Sequence, residues 1–190
     1  PVDSAELLEH QALVALAHVP DQPGVAADLF EALAEAGLSV DLIVQATHEG
    51  SSNDIAFTLA EEELEAAQAV CQQLFADRCQ LTTERAMAKL SIAGAGIMGR
   101  PGVAAKLFDG LSRQGISLRM IATSEVKVSC VISGEQGAKA LRTAAQVFEL
   151  DDHQLGHNPV PQSSEEPEVR GVALDQDQAQ LTVTNVPDQP

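Results

Sequence analysis

Along residues 12–45 the apolar positions change period twice. From Ala12 to Val19 they alternate, with Val14 and Leu16 set for one face, as a half-buried strand requires. From Val25 they fall at helical spacing. Val25, Ala26, Leu29, Phe30 and Leu33 make one stripe, and Asp28, Glu31 and Glu35 lie opposite. Between the two stands Val19-Pro-Asp-Gln-Pro-Gly24, a connection built from turn residues. Gly37 follows the last periodic residue, where a left-handed cap is favoured. Leu38, Val40, Leu42 and Val44 then alternate with polar neighbours over a strand Ser39–Thr47, broken only by Ile43.

The pattern continues through a turn cluster, His48 to Asn53, into a strand Asp54–Leu59 with Ile55 and Phe57 on one face. A helix is predicted over Glu61–Phe75, with Leu64, Ala67, Cys71 and Leu74 in line and three glutamates at its positive N-terminal end. Cys79–Glu84 closes the unit as a strand. The order is β-α-β-β-α-β, which predicts an α+β fold of ferredoxin-like type, an antiparallel sheet with two helices on one face.

A second unit follows: strand Ala88–Ala93, helix Pro101–Gln114, then strands Ser117–Thr123 and Val126–Ile132. Ser133-x-x-Gln136 has the form of a capping box opening a helix Glu135–Phe148. No fourth strand is predicted after it. Residues 151–168 are polar, acidic and proline-containing, as in a linker. A three-stranded unit leaves an open edge, and the unassigned strand Val2–Leu8 is expected to fill it. The first unit, residues 10–87, is then inserted in the second, residues 88–150.

The two units repeat. Pro23-Gly-Val-Ala-Ala-Asp-Leu-Phe30 returns 78 positions later as Pro101-Gly-Val-Ala-Ala-Lys-Leu-Phe108, and Leu33, Gly37, Ser39 and Ile43 return as Leu111, Gly115, Ser117 and Ile121. At a spacing of 167, Val2, Leu7, Gln11-Ala12 and Val19-Pro-Asp-Gln-Pro23 return as Val169, Leu174, Gln178-Ala179 and Val186-Pro-Asp-Gln-Pro190. Residues 169–190 thus read as the start of a further pair, and the chain, which begins with Pro1, as a fragment of a longer protein.

Composition narrows the function. A net charge of −17 offers no surface for phosphates, which argues against nucleic acid and anionic membrane as partners. Cys71, Cys79 and Cys130 are odd in number and widely spaced, as expected of reduced thiols in a cytoplasmic protein. No apolar run approaches the ~18 residues of a membrane span. Five histidines are scattered without metal-ligand spacing, and neither a metal nor any other cofactor is expected.

Gly94-Ala-Gly-Ile-Met-Gly99 matches Gly-x-Gly-x-x-Gly between a strand and a helix, and alone would suggest an NADP site with Arg119 facing a 2′-phosphate. The next strand, however, runs straight into another with no crossover helix, so a glycine-rich connection is the preferred reading. The repeated turn offers different chemistry. Backbone N–H groups at a helix N-terminus attract a carboxylate, and Gly24 and Gly102 allow the main chain to approach a ligand. Asp21 and Asp41 are placed to receive an ammonium. The same residues fit a turn that only shapes the chain, with Asp21 as cap.

Taken together, Val19-Pro-Asp-Gln-Pro-Gly24, Val40-Asp-Leu-Ile-Val-Gln45, Asn53-Asp-Ile-Ala-Phe-Thr58, Ala88-Lys-Leu-Ser-Ile-Ala-Gly-Ala-Gly96, Pro101-Gly-Val-Ala-Ala105 and Thr123-Ser-Glu-Val-Lys-Val-Ser129 resemble the ACT domains of the aspartate kinase regulatory region. The resemblance covers residues 2–150. Residues 169–175 resemble the beginning of another such pair, which implies a parent with four ACT domains. The family implies feedback control of an aspartate kinase by lysine and threonine, held in clefts between ACT domains and commonly across a dimer. The matched effector positions are Asp21, Gly24, Ala26, Asp41 and Gln45, and in the second unit Ser117, Leu118, Thr123, Ser124 and Glu125. Ala46 and Ala122 depart from the family's pattern, standing where Asn and Ser are common. The kinase domain, with its Lys-Phe-Gly-Gly segment, has no counterpart in these residues, so the resemblance implies sensing without catalysis and a kinase domain as partner.

Overall fold

The computed structural model describes residues 2–48, 52–95, 97, 100–158, 179, 181 and 183. The elements run β1 (Ser4–Pro20), α1 (Val25–Glu35), β2 (Val40–His48), β3 (Ser52–Ala60), α2 (Leu64–Phe75), β4 (Gln80–Ala93), α3 (Val103–Arg113), β5 (Met120–Thr123), β6 (Lys127–Ser133), α4 (Gly137–Phe148) and β7 (Leu155–Asn158). The strands form one sheet in the order β2-β3-β1-β4-β6-β5, antiparallel throughout that path, and β7 joins β1 in parallel.

The two strands expected near the N-terminus are one. β1 runs unbroken for 17 residues and serves both units. Its second half, Gln11–Pro20, lies between β3 and the first half of β4. Its first half pairs Ser4–Leu8 with Ala93–Lys89 on one side and Ala5–Leu8 with Leu155–Asn158 on the other.

Where the units meet, each long strand carries a bulge. Glu9 and His10 oppose Ala88 alone, and Arg85 and Ala86 oppose Ala12 alone. His10 and Ala86 have φ of 54° and 53° there. An extra residue shifts the inward side from odd to even positions. Ala5 and Leu7 therefore enter one core, under α3 and α4, whereas Ala12, Val14 and Leu16 enter the other, under α1 and α2.

The interruption at Ile43 has the same kind of cause. The β2–β3 register slips between Val40 and Ile43, and the Thr58 hydroxyl accepts the N–H of Leu42 at 3.1 Å. Val40 stays with the helices, Leu42 and Val44 turn to the opposite face, and Ile43 is left 49% exposed.

That opposite, helix-free face is covered by the molecule itself. β2 and β5, the two ends of the sheet path, lie against each other. Leu13, Met87, Met120 and Val131 are buried between them, with Leu42, Val44 and Ala56 alongside. The sheet is thus folded over an apolar seam, with one helix pair outside each half.

Two expectations change. Ser133 provides no side-chain cap, and α4 begins at Gly137 after a single 3-10 turn. The Gln136 amide donates instead to the Gly115 carbonyl at 3.2 Å. A capping box does form at Asp151 and Gln154, inside the stretch expected to be linker, and β7 follows it. Leu155-Gly-His-Asn has too little apolar pattern to signal a strand. It is held by tertiary contacts: Gln154 Nε2 donates to the Asp3 carbonyl at 2.9 Å, and His157 Nε2 lies 2.7 Å from Glu9 Oε2. Residues 169–174, which repeat the pattern of Val2–Leu7, lie outside the described residues.

Candidate functional site

The turn from β1 into α1 forms one wall of a cleft of about 320 Å³. Gly24 is the N-cap at φ 99°, a conformation that strains any residue with a side chain. It starts the helix without a capping side chain. Val25 N–H donates to the Gln22 carbonyl, and Asp28 N–H to that of Gly24. The first-turn N–H groups of Ala26 and Ala27 have no carbonyl within the helix to serve, and the helix dipole adds partial positive charge there.

Opposite this end stand Gln45 from β2 and Asn53 and Ile55 from β3. Asp21 does not cap the helix. Its carboxylate accepts from Asn53 Nδ2 at 2.8 Å. Asn53 is 5% exposed, and its own Oδ1 is buried with no partner among the described residues. A buried carbonyl oxygen left unpaired costs about 1–3 kcal/mol, so it is a poised acceptor. No basic side chain among the described residues lines the cleft, and Val19, Val25 and Ile55 supply its apolar surface. One end therefore attracts an anion, and the other accepts hydrogen bonds from a donor.

Of the residues expected at this site, Asp21, Gly24, Ala26 and Gln45 come together. Asp41 does not line the cleft: it pairs with Lys89 of β4. Asn53 and Ile55 were not singled out by sequence reasoning, although Asn53 opens one of the segments that carry the family resemblance. In the second unit, Ser117 and Leu118 lie half-buried before β5, Thr123 ends that strand, and Ser124 N–H donates to the Lys127 carbonyl at 2.8 Å beside an exposed Glu125. The second unit lacks the first cleft's polar pair. The residue 78 positions after Asp21 is Gly99, and Val126, just before Val128 and Cys130, occupies the place of Asn53 before Ile55 and Phe57.

Gly94 follows β4, while Gly96 and Gly99 lie outside the described residues. β4 pairs antiparallel with both β1 and β6, and β5 is not its neighbour. A dinucleotide fold needs a parallel strand–helix–strand crossover at this point, and the sheet has none among the described residues. No group of three potential ligands is placed to hold a metal among the described residues. Burial pushes the Cys71 thiol up to about 11 and that of Cys130 up to about 12, which suits packing rather than nucleophilic chemistry. No helix among the described residues is long and apolar enough to cross a membrane.

Profiles of the ACT domain match residues 14–76 and 90–148. The regulatory subunit of aspartate kinase from Thermus thermophilus, solved ligand-free, superposes with a TM-score of 0.71 at 36% identity, over 77% of this chain and 98% of that one. The chain belongs to the aspartokinase regulatory family. The aspartate kinase of Synechocystis superposes with a TM-score of 0.83 at 42% identity, over 93% of this chain and 31% of that protein. The aspartokinase alpha and beta subunits give 0.72 at 30% identity, over 79% and 100%. In sequence, the aspartokinase of Thermus thermophilus is 41% identical over 150 residues. The chain spans 36% of that relative's length.

Proposed function

We propose that this chain is the amino-acid-sensing region of an aspartate kinase, binding free lysine, threonine or both and relaying feedback inhibition to a kinase domain without catalysing a reaction itself. The observation that carries the reading is the cleft at the start of α1. Helix N–H groups suit an α-carboxylate, and the Asp21 carboxylate with the unpaired Asn53 Oδ1 suits an ammonium or hydroxyl. Family membership supports the aspartate kinase context.

The same reading includes a homodimer. Ile43 and Ile121 occupy equivalent places on β2 and β5 and are 49% and 43% exposed. The units are also unlike in charge. Residues 10–87 carry 13 acidic and two basic side chains, and residues 88–150 carry four acidic and eight basic ones. Such complementarity favours the acidic unit of one copy beside the basic unit of another. Ser117, Leu118, Thr123, Ser124 and Glu125 then face a partner's cleft. The register of Ser4–Leu8 on β4 supports the first ACT domain's insertion in the second. The repeat at residues 169–190 supports a parent with four ACT domains.

Calorimetry with lysine, threonine and NADPH tests the function. Heat of binding with an amino acid and none with NADPH is expected. NADPH binding without amino-acid binding would overturn the proposal, as would phosphotransfer from ATP to aspartate by the purified chain.

A further inference from the structure

Asp41 and Arg119 stand 78 positions apart, at the same place in the repeat, just where each unit's edge strand begins. Each reaches across the seam to the other unit. Asp41, on β2, pairs with Lys89, on the half of β4 that belongs to the second unit. Arg119, one residue before β5, pairs with Glu84, on the half of β4 that belongs to the first; Nε and Oε2 are 3.3 Å apart. The two bridges are reciprocal and reversed in charge.

They flank the apolar seam of Leu13, Met87, Met120 and Val131. The Lys89 side chain is only 12% exposed, lying on the seam side between Ala88 and Leu90, whose side chains enter the opposite core. Breaking a pair with one nearly buried member leaves an uncompensated charge. The strands that join the units are bulged at His10 and Ala86, both in left-handed backbone. Non-glycine residues there mark stored strain.

We propose that the Asp41–Lys89 bridge is a latch that couples the amino-acid cleft to the second unit, with Lys89 as a positioning residue acting through β2. The proposal rests on the cleft reading above. Asp41 is four residues before Gln45 on the same edge strand, and Gln45 lines the cleft. With the latch closed, β2 is fixed against β5 and Gln45 is held ready for the ligand. With the latch open, the ligand must order that strand itself, which lowers its affinity. By the same linkage, a bound amino acid closes the latch and tightens β5.

A double-mutant cycle on the whole 190-residue chain tests this, with Lys89→Met, Asp41→Asn and the double variant. Calorimetry with lysine and with threonine reads affinity, and amide exchange over Met120–Thr123 reads the second unit. Each single variant should weaken binding about tenfold, within the usual range of site-to-site coupling. The double variant should be no worse than the singles, because the interaction is already gone. Protection of Met120–Thr123 should rise on binding in the parent chain and stay flat in all three variants. Lys89→Arg should restore both readouts in large part. Parent-like affinity and a parent-like rise in protection in the variants would overturn the latch alone. A parent chain that binds neither amino acid would overturn the latch and the cleft reading together.

Discussion

Replacing Leu7 with alanine should open the second unit and spare the first. Leu7 is fully buried in the core under α3 and α4, although it lies only a few residues from strand positions that belong to the first core. The space it fills has little means of closing. α4 passes directly over it, close enough that a Cβ at Gly137 would sit 3.1 Å from Leu7 Cδ2. Truncating a buried leucine costs about 2–5 kcal/mol, more where the site cannot collapse, so about 3 kcal/mol is a reasonable central figure. If opening is local, amide exchange in Val128–Ile132 should speed up by about 100-fold, since each 1.4 kcal/mol is a factor of ten. Ile55–Leu59 of the first unit should change far less.

Leu16→Ala is the mirror experiment. Leu16 is 1% exposed on the same strand but in the other core, and its loss should speed exchange in Ile55–Leu59 instead. The reasoning fails if Leu7→Ala deprotects Ile55–Leu59 as much as Val128–Ile132, or if it leaves both untouched. Deleting residues 1–9 is the stronger form. It removes Ala5, Leu7 and Leu8 from burial and strips β7 of its neighbour, costing several kcal/mol at about 25 cal/mol per Å². That is comparable with the whole stability of a small domain.

Burial raises the Glu63 carboxyl, against hydrogen bonds from the backbone of Ser39 and Ala60 that lower it. A raised folded value means the protonated form suits the fold, so the stability this group contributes is present at low pH and is lost as pH climbs through the folded value. Glu63→Gln should therefore stabilise the chain near pH 7, with the gain shrinking toward pH 4 in parallel melts. With maleimide at pH 7, Cys79, which is only half-buried, should label in the native protein before Cys71 and Cys130; prompt labelling of Cys130 would contradict its burial. Gly24→Ala meets no neighbour but forces φ 99° on a residue with a side chain. A loss of roughly 1–2 kcal/mol of stability is expected, together with weaker amino-acid binding by calorimetry.

The helices and most strand faces were legible in the sequence because each follows one period against one core. Phe57, Leu29 and Leu111 fell where the pattern put them. Two of the misreadings share a cause. β1 looked like two strands because the bulge at His10 reverses its inward parity, and a reversal reads as a break. The bulge in β2 likewise put Leu42 and Val44 on the face opposite Val40, where a plain alternation puts all three on one. β7 has one apolar residue and exists because β1 offers it an edge. In the cleft, the main-chain contribution was readable from the Pro-Gly turn, but Asn53 was not. Its significance comes from Asp21, 32 positions away, which takes its donor and leaves its acceptor unpaired. Asp41 shows the converse: a carboxylate well placed in sequence was drawn off by a lysine 48 positions on.

The two units kept the same frame while their chemistry diverged, and the divergence bears on how many ligands a chain can hold. Both helices begin at a left-handed glycine, Gly24 and Gly102, and both end on one, Gly37 and Gly115, with the same pair of closing hydrogen bonds. The frame is therefore equally able to present N–H groups to a carboxylate in either unit. Recognition of the other end of an amino acid needs acceptors, and here the units part. The first has Asp21 and Asn53; the second has Gly99 and Val126 at the matching places. A free amino acid brought to the second turn would meet the helix dipole but nothing for its ammonium among those positions. Tight binding of a zwitterion at the first turn and weak binding at the second follow, unless the second is completed by another copy's side chains. Calorimetric stoichiometry separates the cases: one amino acid per chain if the first cleft acts alone, and two, with Asp21→Asn removing only one, if a second site is built at an interface.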